Sequence, residues 1–281
     1  MQITEINGFF MSTDTTLGGW SGTPSLGQKL NANVIRSFFL NEGWTINATC
    51  GMLGCMQGES TINPAFIEQT NRWRLPNSAS SLSDVPNNVM INFYREYYGD
   101  LSRGYAIGLV QWDGYSDRNG INGQKLVNYA TDNNIVWYDG WTQLYRLRGE
   151  QQYDTQHQTN TFFNPVTISG TRYTFVNYPF STATPEILAE AWTTGYERNA
   201  GGVGYRGQNA RWFYDWFTGT DAPDIIPPED FLSPTPLDPD DPPFDPDDPN
   251  PPDPSGGDYL PPWLLYFATL KRKGFKRWVQ I

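Results

Sequence analysis

Histidine occurs once in this chain, at His157, and cysteine only twice, at Cys50 and Cys55. One imidazole and two thiols are too few for a zinc centre. A thiol nucleophile is disfavoured as well, because Cys50 sits within an apolar helical pattern where burial suppresses the thiolate. Five residues apart on one predicted helix, the cysteines do not meet disulfide geometry, so both are read as reduced, small apolar residues. Long hydrophobic runs are missing too: the longest apolar stretch, Trp263 to Leu270, is too short for a bilayer span. The chain opens MQITEINGFF with no basic start followed by an apolar run, so synthesis in a cytosol without a signal peptide is expected.

Bases are scarce as well. The formal charge is −11, from 19 Lys and Arg against 30 Asp and Glu. A phosphate backbone calls for a basic patch, which argues against nucleic acid as the partner. The deficit is local: residues 221–260 carry 12 acids and no bases, residues 261–281 five bases and no acids, and the remainder 18 acids against 14 bases. Most of the acidity therefore belongs to a tail. What is plentiful is aromatic: 11 Trp, 16 Tyr and 16 Phe make up 15% of the chain. Aromatic faces are what sugar rings and protein partners pack against.

The central stretch is WTINATCGMLGCMQGESTINPAF, residues 44–66. Thr45 or Asn47 can cap a helix, and Asn63-Pro64 bars its continuation. Helical spacing aligns Met52, Cys55 and Met56 with Glu59, so a carboxylate ends an otherwise apolar stripe in the last turn. No base lies between Arg36 and Arg72 in the sequence to neutralise it. Desolvation favours the protonated carboxyl, which suits a general acid. A lone glutamate at a helix end also commonly just reaches solvent. Downstream, GYAIGLVQWDG (104–114) brackets a short apolar run with glycines, as in a tight turn or short hairpin. Gln111 offers a donor and an acceptor, and Trp112 offers a flat face. Both suit a sugar, and Trp112 equally suits a core plug.

Gly43-Trp44-Thr45, Asn47-Ala48, Gly51-Met52-Leu53-Gly54, Gly58-Glu59-Ser60, Ile62-Asn63-Pro64 and Gly108-Leu109-Val110-Gln111-Trp112 occur in order. Together they resemble the lysozyme-like superfamily of goose-type lysozymes and lytic transglycosylases, and within it phage tail lysins. Gln143-Leu144, Leu147 and Glu150 resemble the helix after the active-site turn. Tyr196-Glu197-Arg198 with Arg206, Ala210 and Tyr214 resembles the closing segment, so the likeness covers about residues 31–219. The resemblance implies that Glu59 protonates the glycosidic oxygen between N-acetylmuramic acid and N-acetylglucosamine, with Ser60 and Gln111 lining the cleft. Val110 stands where the family usually has Met. Asp113 is the candidate second carboxylate and also a candidate turn residue, with Asp117 and Glu68 as fallbacks. Trp73, Tyr105 and Trp112 are candidates for sugar stacking. Whether a water or the muramic 6-hydroxyl completes the reaction stays open, and an inactive structural tail-tip protein of the same fold is the rival reading. No cofactor or metal is required.

The expected architecture is α+β. An irregular arm (1–30) precedes a mainly helical lysozyme-like domain with a small β element (31–220), an acidic Pro/Asp tether (221–260) and a basic-aromatic segment (261–281). Helices are predicted near 31–42, 45–62, 86–98, 123–134, 141–152, 185–196 and 207–217, with a hairpin about Gly170. LDPDDPP and FDPDDPN, residues 237–250, form a tandem repeat in a run that charge and proline keep extended. An acidic calcium site is the alternative for this run, disfavoured because the prolines break the EF-hand ligand pattern and the glycine hinge is missing. The last segment, with Trp263, Leu264, Leu265, Tyr266 and Phe267, is expected to dock to other phage tail proteins, or alternatively to lie on an anionic membrane surface. Peptidoglycan is the expected substrate and the virion tail tip the expected location.

Overall fold

In the computed structural model, residues 3–6, 8–12, 26–67, 85–90, 106–112, 123–198 and 203–219 are described. The core is built around one helix, α2 (Ile46–Ser60), which follows α1 (Leu26–Asn41) after a tight turn. Gly43, at φ +82°, makes that turn in a conformation that favours glycine. Thr45 caps α2: its hydroxyl accepts from the Ala48 amide at 3.1 Å and donates to the Ser181 carbonyl at 2.6 Å. Residues 48–56 of α2 are buried without a break, so neighbours cover the helix on all sides.

Those neighbours are α1, α5 (Pro185–Gly195) and α6 (Val203–Thr218). Glycines let them approach. A Cβ on Gly51 would meet Leu188 Cβ at 2.8 Å, and one on Gly54 would meet the Arg206 carbonyl at 2.5 Å and the Ala210 amide at 2.6 Å. Since the Gly54 contacts are backbone, which cannot rotate away, Gly54→Ala is expected to destabilise the protein by about 1–3 kcal/mol. An unchanged urea midpoint would show that α6 can stand off from α2 at no cost.

Around this centre lie α3 (Gly123–Asp132) and α4 (Gly140–His157), with Asp139 capping α4 by accepting from the Thr142 amide at 2.8 Å. The predicted hairpin is present: β3 (Val166–Ile168) pairs antiparallel with β4 (Thr171–Tyr173) through Ser169 and Gly170, both at positive φ. A 3-10 turn at Tyr178–Phe180 then straps the start of α2, with Tyr178 donating to the Ala48 carbonyl at 3.0 Å. Trp44, Phe163, Phe175, Tyr178, Trp192 and Tyr196 form the aromatic core there. Of the predicted 86–98 helix, residues 87–90 are described and helical.

The N-terminal arm departs from expectation. Instead of being irregular, it contains an antiparallel pair, β1 (Ile3–Ile6) with β2 (Phe9–Ser12), and α1 begins at Leu26 rather than Asn31. Buried Asn31 holds the arm by accepting from the Phe10 amide at 2.7 Å and donating to the Phe10 and Ile62 carbonyls at 2.5 and 2.9 Å. Phe9 is fully buried, its ring lying against the bare Cα of Gly140. The tether and the basic-aromatic segment lie outside the described residues. No described helix is long and apolar enough to cross a membrane.

Candidate active site

Glu59 occupies the last turn of α2, as its spacing predicts, with Met52, Cys55 and Met56 of the same stripe buried. The helix stops after Ser60, earlier than Pro64 alone requires. Thr61 and Ile62 both take left-handed φ, and their amides return to the Met56 carbonyl.

Ser60 was expected to meet substrate. It is fully buried instead, and its hydroxyl donates to the Leu109 carbonyl at 2.8 Å and the Met56 carbonyl at 3.1 Å. It thus ties the residue after Glu59 to the glycine-bracketed turn.

That turn is held by isolated β-bridges outside the two strand pairs. Ile107 bridges both Trp112 and Ile67, and Gly108, at φ +78°, opens a turn closed by Gln111. Gln143 of α4, fully buried, fixes the turn in place. It accepts from the Leu109 amide at 2.8 Å and donates to the Pro64 and Trp137 carbonyls at 2.8 and 3.0 Å. A side chain at Gly108 would strike Gln143 Oε1 at 2.7 Å. Gln111 is half-buried at φ +53° and donates to the Gly108 carbonyl at 3.0 Å. Trp112 does not present a face to sugar. It is wholly buried, donates to Glu150 Oε1 at 3.1 Å and has the Arg146 guanidinium 5.6 Å from its ring centre, so it is the core plug. Trp73, Tyr105, Asp113, Asp117 and Glu68 lie outside the described residues.

The electrostatics around Glu59 differ from what its sequence neighbours suggest. Arg206, 147 residues further on in α6, pairs through Nη2 with Glu59 Oε1. The same nitrogen lies 3.3 Å from Glu197 Oε2. The Glu59 side chain keeps 22% of its surface exposed, whereas those of Arg206 and Glu197 keep 3% and 6%. Glu59 is therefore the one member of the trio open to a ligand. Burial pushes the Glu197 carboxyl up to about 8 from the ordinary 4.5, opposed by the Cys55 thiol. A carboxyl that ionises near 4.5 when unfolded and near 8 when folded contributes stability that is complete below about 4.5 and lost as pH rises through 8.

Tyr205 also belongs to this end of the molecule. The residue is 46% exposed, and its ring packs on Gly58 and has the Arg206 guanidinium 5.1 Å from its centre. It is an aromatic face beside Glu59 that the candidate stacking residues did not include. Its helix was predicted only from Gly207, which left Tyr205 off the element. The closing segment does contain Glu197 and Arg206, and the fold brings both to Glu59.

A buried helix ending in a partly exposed glutamate, anchored to a small β turn and packed by α5 and α6, defines a mainly helical α+β domain of the lysozyme-like class. The chain belongs to the phage tail lysozyme family, whose model matches residues 30–217. It is also 32% identical over 120 residues to morphogenesis protein 1 of Bacillus phage B103. That match takes in 38% of this chain and 25% of the relative's length.

Proposed function

We propose that this chain is a virion-borne enzyme of the phage tail that cuts the glycan strand of host peptidoglycan, between N-acetylmuramic acid and N-acetylglucosamine, as the genome passes the wall. One observation carries the reading: Glu59 is the solvent-open carboxyl at the end of a buried helix, beside the exposed Tyr205 ring and a turn anchored through Ser60. Protonated Glu59 donates to the leaving oxygen while the sugar acquires oxocarbenium character. Either a water then attacks and the enzyme is a hydrolase, or the muramic 6-hydroxyl attacks and the enzyme is a lytic transglycosylase. In both cases Glu59 recovers its proton as the base. Tyr205 joins Trp73 and Tyr105 as a sugar-stacking candidate, and Asp113 remains the proposed second carboxylate. The acidic repeat serves as a tether, and residues 261–281 dock to other tail proteins at the tail tip, with contact to a membrane surface as the alternative.

A catalytically silent structural protein of the tail is the second reading. The Arg206 pair on Glu59 favours it, since a neighbouring guanidinium works against a protonated general acid, and the relative's name refers to morphogenesis. Mass spectrometry of muropeptides released from purified peptidoglycan by the full chain separates these outcomes. Reducing ends mean hydrolysis, and anhydro-muramic ends mean transglycosylation. No release from any of several Gram-positive and Gram-negative walls would favour the structural protein.

A further inference from the structure

A general acid must hold a proton, yet an arginine on Glu59 favours its carboxylate. The way out of this conflict lies behind the site. Glu197 follows α5, keeps only 6% of its side chain exposed, and has carboxyl oxygens that make no hydrogen bond of normal geometry; the Cys55 thiol lies beside them. Both carboxyls converge on one atom, Arg206 Nη2. Arginine stays protonated throughout, so the trio balances its charge with one added proton on either glutamate.

We infer that Glu197 is the resting seat of the proton that Glu59 donates, with Arg206 as the positioning residue that pairs with whichever carboxyl is ionised. The inference rests on the proposed role of Glu59. At rest Glu59 is the carboxylate on Arg206 and Glu197 the neutral acid. In the working state Glu59 carries the proton and Glu197 is the carboxylate on Arg206. Each state holds one proton, two carboxyls and one guanidinium, and the exchange runs through solvent at the open Glu59 end. Donation to the leaving oxygen leaves both carboxyls ionised against one arginine, a costly state that the second step relieves when Glu59 takes a proton from the attacking water or hydroxyl.

Glu197 suits this role because its environment supplies little else to charge. Among the described residues, the titratable groups facing the trio are Cys55 from α2, Tyr178 from the 3-10 turn and Tyr205 from α6; α5 contributes the uncharged Thr193, whose hydroxyl is 3.3 Å from Cys55 Sγ. Burial pushes Cys55, Tyr178 and Tyr205 upward, so all three are neutral where Glu197 titrates. A proton step near pH 8 thus belongs to the carboxyl pair and is shared between its two members.

The test is carboxyl NMR of the full chain labelled with 13C-glutamate, in the wild type, Glu197→Gln and Glu197→Asp, together with the pH profile of glycan cleavage. In the wild type the pair is expected to lose a proton near pH 8. In Glu197→Gln that step vanishes, Arg206 no longer faces a second glutamate, and Glu59 takes up its proton at a pH lower by at least about one unit. Cleavage at pH 7 then falls about tenfold or more and recovers toward the wild-type rate as the pH is lowered, a shift that damage to packing alone does not produce. Glu197→Asp, which keeps an acid, is expected to retain both the step and most of the neutral-pH activity. An unmoved Glu59 titration in Glu197→Gln would overturn the inference, as would an unchanged cleavage profile. The titration needs no turnover. A wild-type chain that cuts no wall therefore defeats the proposed function, whereas an unmoved titration defeats the proton relay.

Discussion

Glu59→Gln is expected to slow glycan cleavage by about 10²- to 10⁴-fold, the usual contribution of a positioned general acid. Glutamine keeps the shape and the hydrogen-bonding reach of the side chain but carries no transferable proton. The fold is expected to tolerate the change for a specific reason. Arg206 keeps a second carboxyl within reach, that of Glu197, 3.3 Å from its Nη2, and with Glu59 neutralised Glu197 is the group that ionises against the guanidinium. Sugar binding is expected to persist, since the exposed Tyr205 ring and the turn held by Gln143 do not depend on the Glu59 charge. The check pairs zymography on peptidoglycan with a melting curve: clearing disappears while the melting temperature holds. Near-normal clearing by the variant removes Glu59 from the chemistry, and a collapsed melting curve shows that its pair with Arg206 was structural.

The parts of this molecule that could be read from its sequence are those governed by local rules. Thr45 as a cap, the apolar stripe of Met52, Cys55 and Met56, the glycine-bracketed turn before Trp112 and the hairpin at Gly170 each follow from periodicity or backbone preference within a few residues. The α2 helix could therefore be placed with Glu59 in its last turn. What escaped was set by distant partners. Nothing near Glu59 in sequence announces Arg206, because the contact depends on how closely α6 can lie on Gly54 and Gly58. The expectation of an unneutralised carboxyl failed there. Ser60 is read from the sequence as facing ligand, and Trp112 as either a sugar platform or a core plug, because sequence gives a residue type but not a direction. A buried acceptor for each, Glu150 and the Leu109 carbonyl, turned both inward. The first strands escaped for a similar reason, since a polar, glycine-rich arm looks irregular until Asn31 and the bare Gly140 surface give it something to hold.

Trp112 leads to the second large effect, which concerns stability. Glu150 is fully buried in α4, accepts from Trp112 Nε1 at 3.1 Å and the Tyr196 hydroxyl at 2.6 Å, and forms an ion pair with Arg146, whose Nε lies 3.0 Å from Oε1. Burial pushes its carboxyl upward, opposed first by Arg146 and then by the two hydrogen bonds. Glu150→Leu keeps most of the volume and removes every acceptor. It takes the carboxylate away from a buried arginine and the hydrogen-bond acceptor away from two buried aromatics, and deleting one partner of such a pair costs about 3–5 kcal/mol. Glu150→Gln retains an acceptor for Trp112 or Tyr196 but no charge, so its loss is expected to fall between that of the leucine variant and zero. Urea unfolding measures both. A midpoint for Glu150→Leu within about 1 kcal/mol of the parent would mean that apolar packing replaces the ionic cluster without penalty, as happens in some buried ion pairs when both sides are exchanged. The expected loss has a functional side. Trp112 is paired with Ile107 at the base of the turn whose Leu109 carbonyl receives Ser60, so an untethered indole loosens the strand that fixes the residue next to Glu59. At temperatures where the leucine variant is still folded, its cleavage rate is therefore expected to fall while the glutamine variant stays close to the parent. Equal rates in the two would confine Glu150 to stability alone.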